Sequence, residues 1–177
     1  MVASLNCNMD EIHAAIGRAQ LKKLPGIIRR RRELAATIGA GCEQSLQAVR
    51  LMGDPPDCQG AYWFLLFQLD LDRVGLDKVG FVKALIAEGF GASPSYLIIP
   101  TRMPWHQNRA VFGTSGLPWS GAPRVPEAAG PQQAYTLPNV EAADAARFLV
   151  HFHEDWTDQE ATELVAALAK VEGAYLR

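Results

Sequence analysis

Near its start the chain reads Leu5-Asn6-Cys7-Asn8-Met9-Asp10-Glu11-Ile12-His13-Ala14-Ala15-Ile16-Gly17. This stretch predicts the beginning of a helix, because the Asn8 side chain can cap the first turn and Glu11 can return a carboxylate to the cap. Apolar residues recur here at intervals of three and four, which is the spacing of a buried helix face. They are Met9, Ile12, Ile16 and Ala19. We therefore expect a capped helix with one buried face.

The same residues resemble a family signature. The pattern Asn-Tyr-Arg-Met-x-Glu-x-x-Ala-Ala-Ile-Gly-x-x-Gln-Leu is matched by residues 6–11, 14–17 and 20–21, with the spacing intact over sixteen positions. It is the signature of the DegT/DnrJ/EryC1/StrS family, whose members are pyridoxal-phosphate-dependent aminotransferases that act mostly on nucleotide-linked keto sugars. Two positions depart from it, since Cys7 replaces the usual aromatic residue and Asn8 replaces the usual arginine.

The composition is that of a soluble globular domain. The 177 residues are 49% hydrophobic and 20% charged, which is enough for a real core. A net charge of -2 gives no broad attraction for nucleic acid or an anionic membrane. No apolar run approaches the roughly 20 residues that a membrane span needs. Cys7, Cys42 and Cys58 are odd in number and lack Cys-x-x-Cys spacing in a chain without a signal-peptide start, which favours reduced thiols and the cytoplasm.

The first helix is predicted to be long but interrupted. Pro25 should kink or break it, and Gly39 and Gly41 should end it. A helical segment of this length suggests a bridge between domains or subunits. We therefore divide the chain into a kinked linking helix over 1–45 and a small domain over 46–177.

Four consecutive arginines, Arg29 to Arg32, form the most basic run in the sequence. On a helix their side chains point in all directions, which favours a solvated face with some salt bridges over a phosphate-binding site.

The middle of the chain predicts a strand, a helix and a second strand. Residues 61–70 are apolar and aromatic, which indicates a central strand covered on both faces, with residues 48–52 as its partner. Its Tyr62 and Trp63 are expected in the core. Asp77 can cap the helix, and Gly89 can end it before a short strand over 92–99. The predicted buried face of that helix is Val79, Val82, Leu85 and Ile86.

The C-terminal region predicts a helix capped by Asn139, a strand over 148–154 and a final helix. Thr157 and Glu160 have the spacing of a capping box. The predicted apolar face of the final helix is Ala161, Leu164, Val165 and Leu168. This helix also resembles the closing helix of the same aminotransferase family.

Residues 100–138 form a loop rich in Gly, Pro, Ser and Trp, which is longer than most loops and typical of a functional segment. Its tryptophan rings should pack on something, because they are costly to leave in water. The resembling family has a substrate-facing loop here, and the nearest equivalents of its substrate residues are Tyr96, Trp105 and His106.

Two histidines, His151 and His153, fall on the same side of the predicted last strand, beside Glu154. They could begin a zinc site, but a third protein ligand is not evident, and surface or core-edge histidines are favoured.

The resemblance implies an α+β fold. It is the small C-terminal domain of a fold-type I pyridoxal-phosphate-dependent aminotransferase, in which a small, mainly antiparallel sheet packs against helices after a long linking helix. In relatives, the asparagine at the position of Asn6 reaches across the dimer interface to the phosphate of the cofactor bound to the other subunit. Asn8 stands where the family has a cation that contacts substrate.

The family's Schiff-base lysine lies N-terminal to the signature, and no lysine of this chain is a convincing replacement. The lysines are Lys22, Lys23, Lys78, Lys83 and Lys170. We therefore expect the C-terminal portion of a homodimeric enzyme that moves an amino group from glutamate or glutamine to a keto sugar. Pyridoxal phosphate would bind the full-length enzyme, whereas this chain alone should bind none stably and should not catalyse.

A different interpretation stays open. The chain could be a freestanding, non-catalytic protein that keeps the small-domain fold for dimerisation or partner binding. Small residues on the first helix, at Ala14, Ala15 and Gly17, would then face a partner.

Overall fold

A computed structural model of the protein describes residues 8–95, 99–108, 111–113, 115–117, 121 and 137–177. The helices are α1 (Glu11–Ser45), α2 (Lys78–Ala87), α3 (Pro104–Gln107), α4 (Pro138–Ala146) and α5 (Asp158–Tyr175), with a 3-10 turn at Pro100–Arg102. The strands are β1 (Val49–Leu51), β2 (Phe64–Leu69), β3 (Ala92–Ser93) and β4 (Arg147–His151). Within these ranges, no helix is both long and apolar enough to cross a membrane.

The four strands form one antiparallel sheet in the order β1-β2-β4-β3. Leu66 of β2 pairs with Leu149 of β4, and Val49 of β1 pairs with Leu69 of β2. The predicted central strand and its partner are therefore confirmed, as is the α+β class. The predicted cover on both faces is only partly present, because side chains along β2 alternate between buried and half-buried.

The core lies between one face of the sheet and three helices. Leu65, Phe67 and Leu69 point from β2 into it, and the rings of Phe67 and Phe148 stack with centroids 5.3 Å apart. Helix α5 begins at the predicted capping box, in which Thr157 and Glu160 bond each other's backbone N–H groups. Its predicted face is buried at Ala161, Leu164 and Leu168 and half-buried at Val165.

Helix α1 differs from its prediction at both ends and in the middle. Its cap is Asp10, whose carboxylate accepts from the His13 N–H at 2.8 Å, so the predicted Asn8 cap is wrong. The helix runs without a break through Pro25, because an internal proline removes only one N–H donor while the turns on either side keep theirs. It also continues past both predicted terminating glycines to Ser45.

One of those glycines has a packing role. A Cβ atom placed on Gly41 would lie 2.9 Å from Cγ2 of Val165 on α5. Glycine therefore allows the two helices to approach closely, and this tertiary contact outweighs its tendency to end a helix.

Several predicted burial patterns fail at exposed positions. Met9, Ile12 and Ile16 are exposed, so the predicted buried face of α1 does not contact the rest of the described chain. Trp63 is 72% exposed, although a core position was predicted. Both errors have one cause: a periodic apolar pattern predicts a face but does not show what covers it.

The remaining helices are only partly as predicted. Asp77 caps α2, and Gly89 follows that helix with φ +99°, as expected of a C-terminal glycine. Helix α4 begins at Pro138 after Leu137, so the Asn139 cap is wrong, because proline is favoured at the first helical position. On α2 the buried residues are Phe81, Val82 and Leu85, whereas Val79 and Ile86 are exposed.

The last two predicted strands are shorter than expected. Strand β3 covers only Ala92–Ser93, and residues 96–98 of the prediction lie outside the described residues. Strand β4 ends at His151, so His153 is not on it and the two histidines do not share a strand face.

Candidate functional site

Trp105 and His106 lie together on the short helix α3. Prolines at the first position of the 3-10 turn and of α3 set the local backbone, since their fixed φ suits the start of a helix. The two rings meet edge to face, with centroids 5.6 Å apart and an interplanar angle of 83°. Trp105 is 43% exposed, and His106 is half-buried. The pair therefore offers an accessible aromatic surface beside an imidazole.

Two polar contacts tie the segments around α3 to α4. The Arg102 guanidinium pairs with the Glu141 carboxylate. The Ser95 hydroxyl donates to Asp144 Oδ1 at 3.1 Å. These contacts join the residues just before and after the described start of the predicted loop to α4.

The other predicted site residues are not brought to this place. Asn8 is exposed and lies before the Asp10 cap of α1. Every residue over 15–25 is exposed, and Arg30 is the first residue of α1 with a hydrogen bond to a described residue beyond that helix. At 1.5 Å per residue, Asn8 lies about 30 Å along the helix from that anchor. Asn6 and Tyr96 lie outside the described residues.

The arginine run forms the anchor of α1. Arg31 donates to Glu154 at 2.8 Å and to the Tyr62 carbonyl at 3.0 Å. Arg30 donates to Asp158 at 2.8 Å and to the Trp156 carbonyl at 2.6 Å. The preference for salt bridges over a phosphate site is thus supported by observed partners. The predicted solvated face is not supported for the whole run, because the Arg31 side chain is only 19% exposed.

The loop held by these arginines has an unusual backbone conformation. Tyr62 has φ +48°, a left-handed conformation that side chains other than glycine rarely adopt. Arg32 donates to the Gly60 carbonyl at 2.8 Å, two residues earlier. Burial, followed by a hydrogen bond with Asp54, raises the pKa of the Tyr62 hydroxyl. The loop is thereby held rigidly, and Trp63 is presented outward at the start of β2.

A model of the DegT/DnrJ/EryC1/StrS aminotransferase family matches residues 1–122. The chain belongs to this family. The match contains the signature over residues 6–21, all of α1 and the first three strands.

Solved aminotransferases share the fold of this family member. The aminotransferase TlmJ from Streptoalloteichus hindustanus is 18% identical with a TM-score of 0.65, and 94% of this chain covers 37% of that one. PseC from Helicobacter pylori, involved in the biosynthesis of pseudoaminic acid, is 15% identical with a TM-score of 0.71 and coverages of 98% and 40%. The putative sugar aminotransferase Spr1654 from Streptococcus pneumoniae, in its PLP form, is 14% identical with a TM-score of 0.67 and coverages of 94% and 36%.

These likenesses show that the chain has the fold of part of a fold-type I aminotransferase. The chain spans little more than a third of the length of the solved structures it matches.

The lysines of this family member do not fit a complete pyridoxal-phosphate site. Lys22, Lys23 and Lys83 are exposed on helices, and Lys170 pairs with Glu88 at 2.7 Å. The half-buried Lys78 is held by Asp144, whose Oδ1 lies 3.5 Å from its Nζ. No lysine is both free of a partner and inside a pocket in the described ranges. No step of transamination is therefore assigned to a lysine of this chain.

The buried Cys42 thiol does not have the properties of a catalytic nucleophile. Burial, followed by the negative charge of the nearby Glu172 carboxylate, raises the pKa of the Cys42 thiol to about 12. A thiol with that pKa is protonated at neutral pH and is a poor nucleophile. In the part of the chain that the structure describes, no group of three or more His, Cys, Asp or Glu residues is placed to hold a metal ion.

The sequence did not reveal the long-range polar partners of this region. Arg30, Arg31 and Glu172 bond residues more than 100 positions away, and no local pattern marks those pairs. The run of four arginines was the only feature of the sequence that indicated polar contacts here.

Proposed function

We propose that this chain is the small-domain part of a pyridoxal-phosphate-dependent aminotransferase acting on keto sugars or nucleotide sugars. The observation that carries the proposal is the family match over residues 1–122, which includes the signature at the start of α1. The amino donor would be glutamate or glutamine. The likeness in fold to sugar aminotransferases supports the same assignment.

We propose roles for five side chains in the intact enzyme. The Asn6 amide donates a hydrogen bond to the cofactor phosphate held by the partner subunit, since an amide N–H suits a phosphate oxygen. Asn8, Tyr96, Trp105 and His106 contact the sugar substrate. The ring pair of α3 supports this role, because it presents a stacking surface beside a group that can donate or accept a hydrogen bond.

The proposed assembly is a homodimer in which the first half of α1 contacts the remainder of the enzyme. Its exposed apolar residues support this, since Met9, Ile12 and Ile16 are 76%, 73% and 56% exposed. We propose 1–45 as the linking helix and 46–177 as the small domain. Free thiols at Cys42 and Cys58 support a reducing compartment such as the cytoplasm.

The test is to read the DNA upstream of Met1 in the same frame and to express the longest open frame that contains this chain. We expect that product to transfer an amino group from glutamate to a nucleotide-linked keto sugar, and the 177-residue chain alone to transfer none. Replacing Asn6 by alanine in the longer product should weaken retention of the cofactor. A borohydride-fixed cofactor adduct on a lysine of the 177-residue chain would contradict the proposal.

A non-catalytic binding protein is the second candidate, and the same exposed stripe of α1 favours it. A stop codon directly upstream of Met1, together with a stable dimer of the chain in light scattering, would make this function the better supported one. A monomer at high concentration would contradict the proposed homodimer contact on this stripe.

A further inference from the structure

A small cavity lies between α4 and the half-buried face of the sheet. Its volume is about 150 Å³. Phe64 and Leu66 of β2 and Leu149 of β4 form its apolar floor, with Leu66 and Leu149 directly opposite each other in the ladder. Ala143 of α4 completes the apolar lining. The cavity is on the side of the sheet away from the core formed with α1 and α5.

One cation of this cavity, Arg147, has no partner among the residues that the structure describes. Arg147 pairs with Gln68 through its backbone, which places its side chain on the same face as Leu149, two residues on. The side chain lines the cavity and is half-buried. Across the described residues, its guanidinium makes neither a hydrogen bond nor an ion pair. Leaving a guanidinium partly desolvated and unpaired is unfavourable, so the site favours an anion.

The carboxylate in the same cavity is already compensated. Asp144 Oδ1 lies 3.5 Å from Nζ of Lys78, whose side chain is 11% exposed, and accepts from the Ser95 hydroxyl at 3.1 Å. Lys78 also donates to the Asp144 backbone carbonyl. One positive and one negative charge therefore cancel, and the Arg147 charge remains.

The volume and the floor define what the anion can be. A cavity of about 150 Å³ with an apolar floor has room for a benzene-sized group. An apolar floor rejects a second charged group, because burying a charge without a partner is costly. The guanidinium matches a carboxylate in bidentate geometry.

We propose that this cavity binds a monocarboxylate carried on a compact apolar group, with its apolar body on Phe64, Leu66 and Leu149 and its carboxylate on Arg147. The proposal does not depend on the proposed aminotransferase function. Glutamate is a poor fit, because it carries a second carboxylate and an ammonium group.

The test is a titration of the isotope-labelled 177-residue chain with benzoate, followed by amide chemical shifts. We expect saturable shifts at Leu66, Ala143 and Leu149. Arg147→Gln should weaken benzoate binding at least five-fold and leave binding of the neutral analogue toluene unchanged. Arg18→Gln, on the exposed half of α1, is the matched control and should bind benzoate as the unmodified chain does.

A second variant keeps the test informative if Arg147→Gln does not fold. Ala143→Leu fills the cavity from α4 and should abolish binding of both benzoate and toluene, with thermal unfolding confirming a folded chain. The proposal is overturned if benzoate gives no saturable shifts at these residues. It is also overturned if Ala143→Leu or a folded Arg147→Gln chain binds benzoate as tightly as the unmodified chain.

Discussion

The two halves of α1 belong to one continuous helix but have opposite environments. From residue 30 to residue 45 the helix buries Leu34, Ala35, Ile38 and Cys42 against the sheet and α5. From residue 15 to residue 25 every position is exposed, although this half is also rich in apolar residues. Amphipathic spacing is thus present in both halves, but only the second half is buried.

The difference shows where the stability of a long helix comes from. Isolated helices are marginal in water, and most helical stability in proteins comes from packing of an apolar face. The second half is held by the core and by the arginine anchor. The first half has its Asp10 cap and its continuity with the second half, and its apolar stripe is available to the rest of the proposed enzyme.

The largest expected difference between the halves is in the cost of removing an apolar side chain. Leu34→Ala should lower the free energy of unfolding by about 2–5 kcal/mol, because it leaves a cavity at a fully buried site. Ile16→Ala should change it by less than about 0.5 kcal/mol, since that side chain is exposed. Urea unfolding of both variants measures the contrast, and equal losses would show that the stripe of the first half is buried in solution.

A second variant tests how the anchored half is joined to β1. The buried Glu172 carboxylate accepts from the N–H groups of Gln47, Ala48 and Val49 at 2.7, 2.9 and 3.0 Å. Glu172→Gln should lower the free energy of unfolding by about 2–3 kcal/mol. The amide NH2 group of glutamine would face buried N–H donors and leave at least one of them without an acceptor. Glu43→Gln, at an exposed position of α1, is the control and should be nearly neutral. Similar urea midpoints for the two variants would contradict the structural role of Glu172.

A third variant tests the polar anchor and its pH dependence. Arg31→Ala should lower the free energy of unfolding by about 1–2 kcal/mol, since it removes a part-buried ion pair with Glu154 and a hydrogen bond to the Tyr62 carbonyl. Arg29→Ala should be nearly neutral, because Arg29 is exposed and lies 3.8 Å from Glu33.

The pH dependence follows from Glu154. A hydrogen bond from its own backbone, and then Arg31, hold the pKa of this carboxyl below its usual value. Since the folded pKa is the lower one, the stabilisation is present above the unfolded pKa of about 4.3 and is lost as the pH falls through the folded pKa. The difference in the free energy of unfolding between Arg31→Ala and the unmodified chain should therefore become smaller as the pH is lowered from neutral to about 3. If that difference does not change with pH, the stabilising effect of Arg31 comes only from its hydrogen bond to the Tyr62 carbonyl.

The smallest expected effect is that of Pro25→Ala. It restores one N–H donor in the exposed half, so amide hydrogen exchange should slow over residues 15–29. Global unfolding should change by less than about 1 kcal/mol, because the exposed half opens before the core does. Amides of residues 34–42 act as the internal control and should keep their exchange rates.

Local signals predicted much of the fold. The Thr157 capping box, the Asp77 cap and the stop at Gly89 depend on atoms within a few residues of one another, and all three are confirmed. Asn8 and Asn139 failed as caps because a neighbouring residue was the better start of each helix, Asp10 in one case and Pro138 in the other.

The site was less predictable than the fold. The adjacency of Trp105 and His106 follows from the sequence, whereas the edge-to-face arrangement of their rings does not. The cavity at Arg147 had no sequence signal, because its lining comes from β2, β4 and α4, which are far apart in the sequence. The roles of all five proposed site residues stay predictions; they are Asn6, Asn8, Tyr96, Trp105 and His106.

The sequence by itself determined the family, through sixteen positions of intact signature spacing, and the α+β class, through period and capping. Only the tertiary structure decided which half of α1 is buried, why Gly41 does not end the helix and that Arg147 lines a cavity without a partner among the described residues. The physical reason is the distance in sequence between the residues that interact. Caps and periodicity are interactions between near neighbours, whereas burial and charge pairing depend on segments that can lie more than 100 residues away.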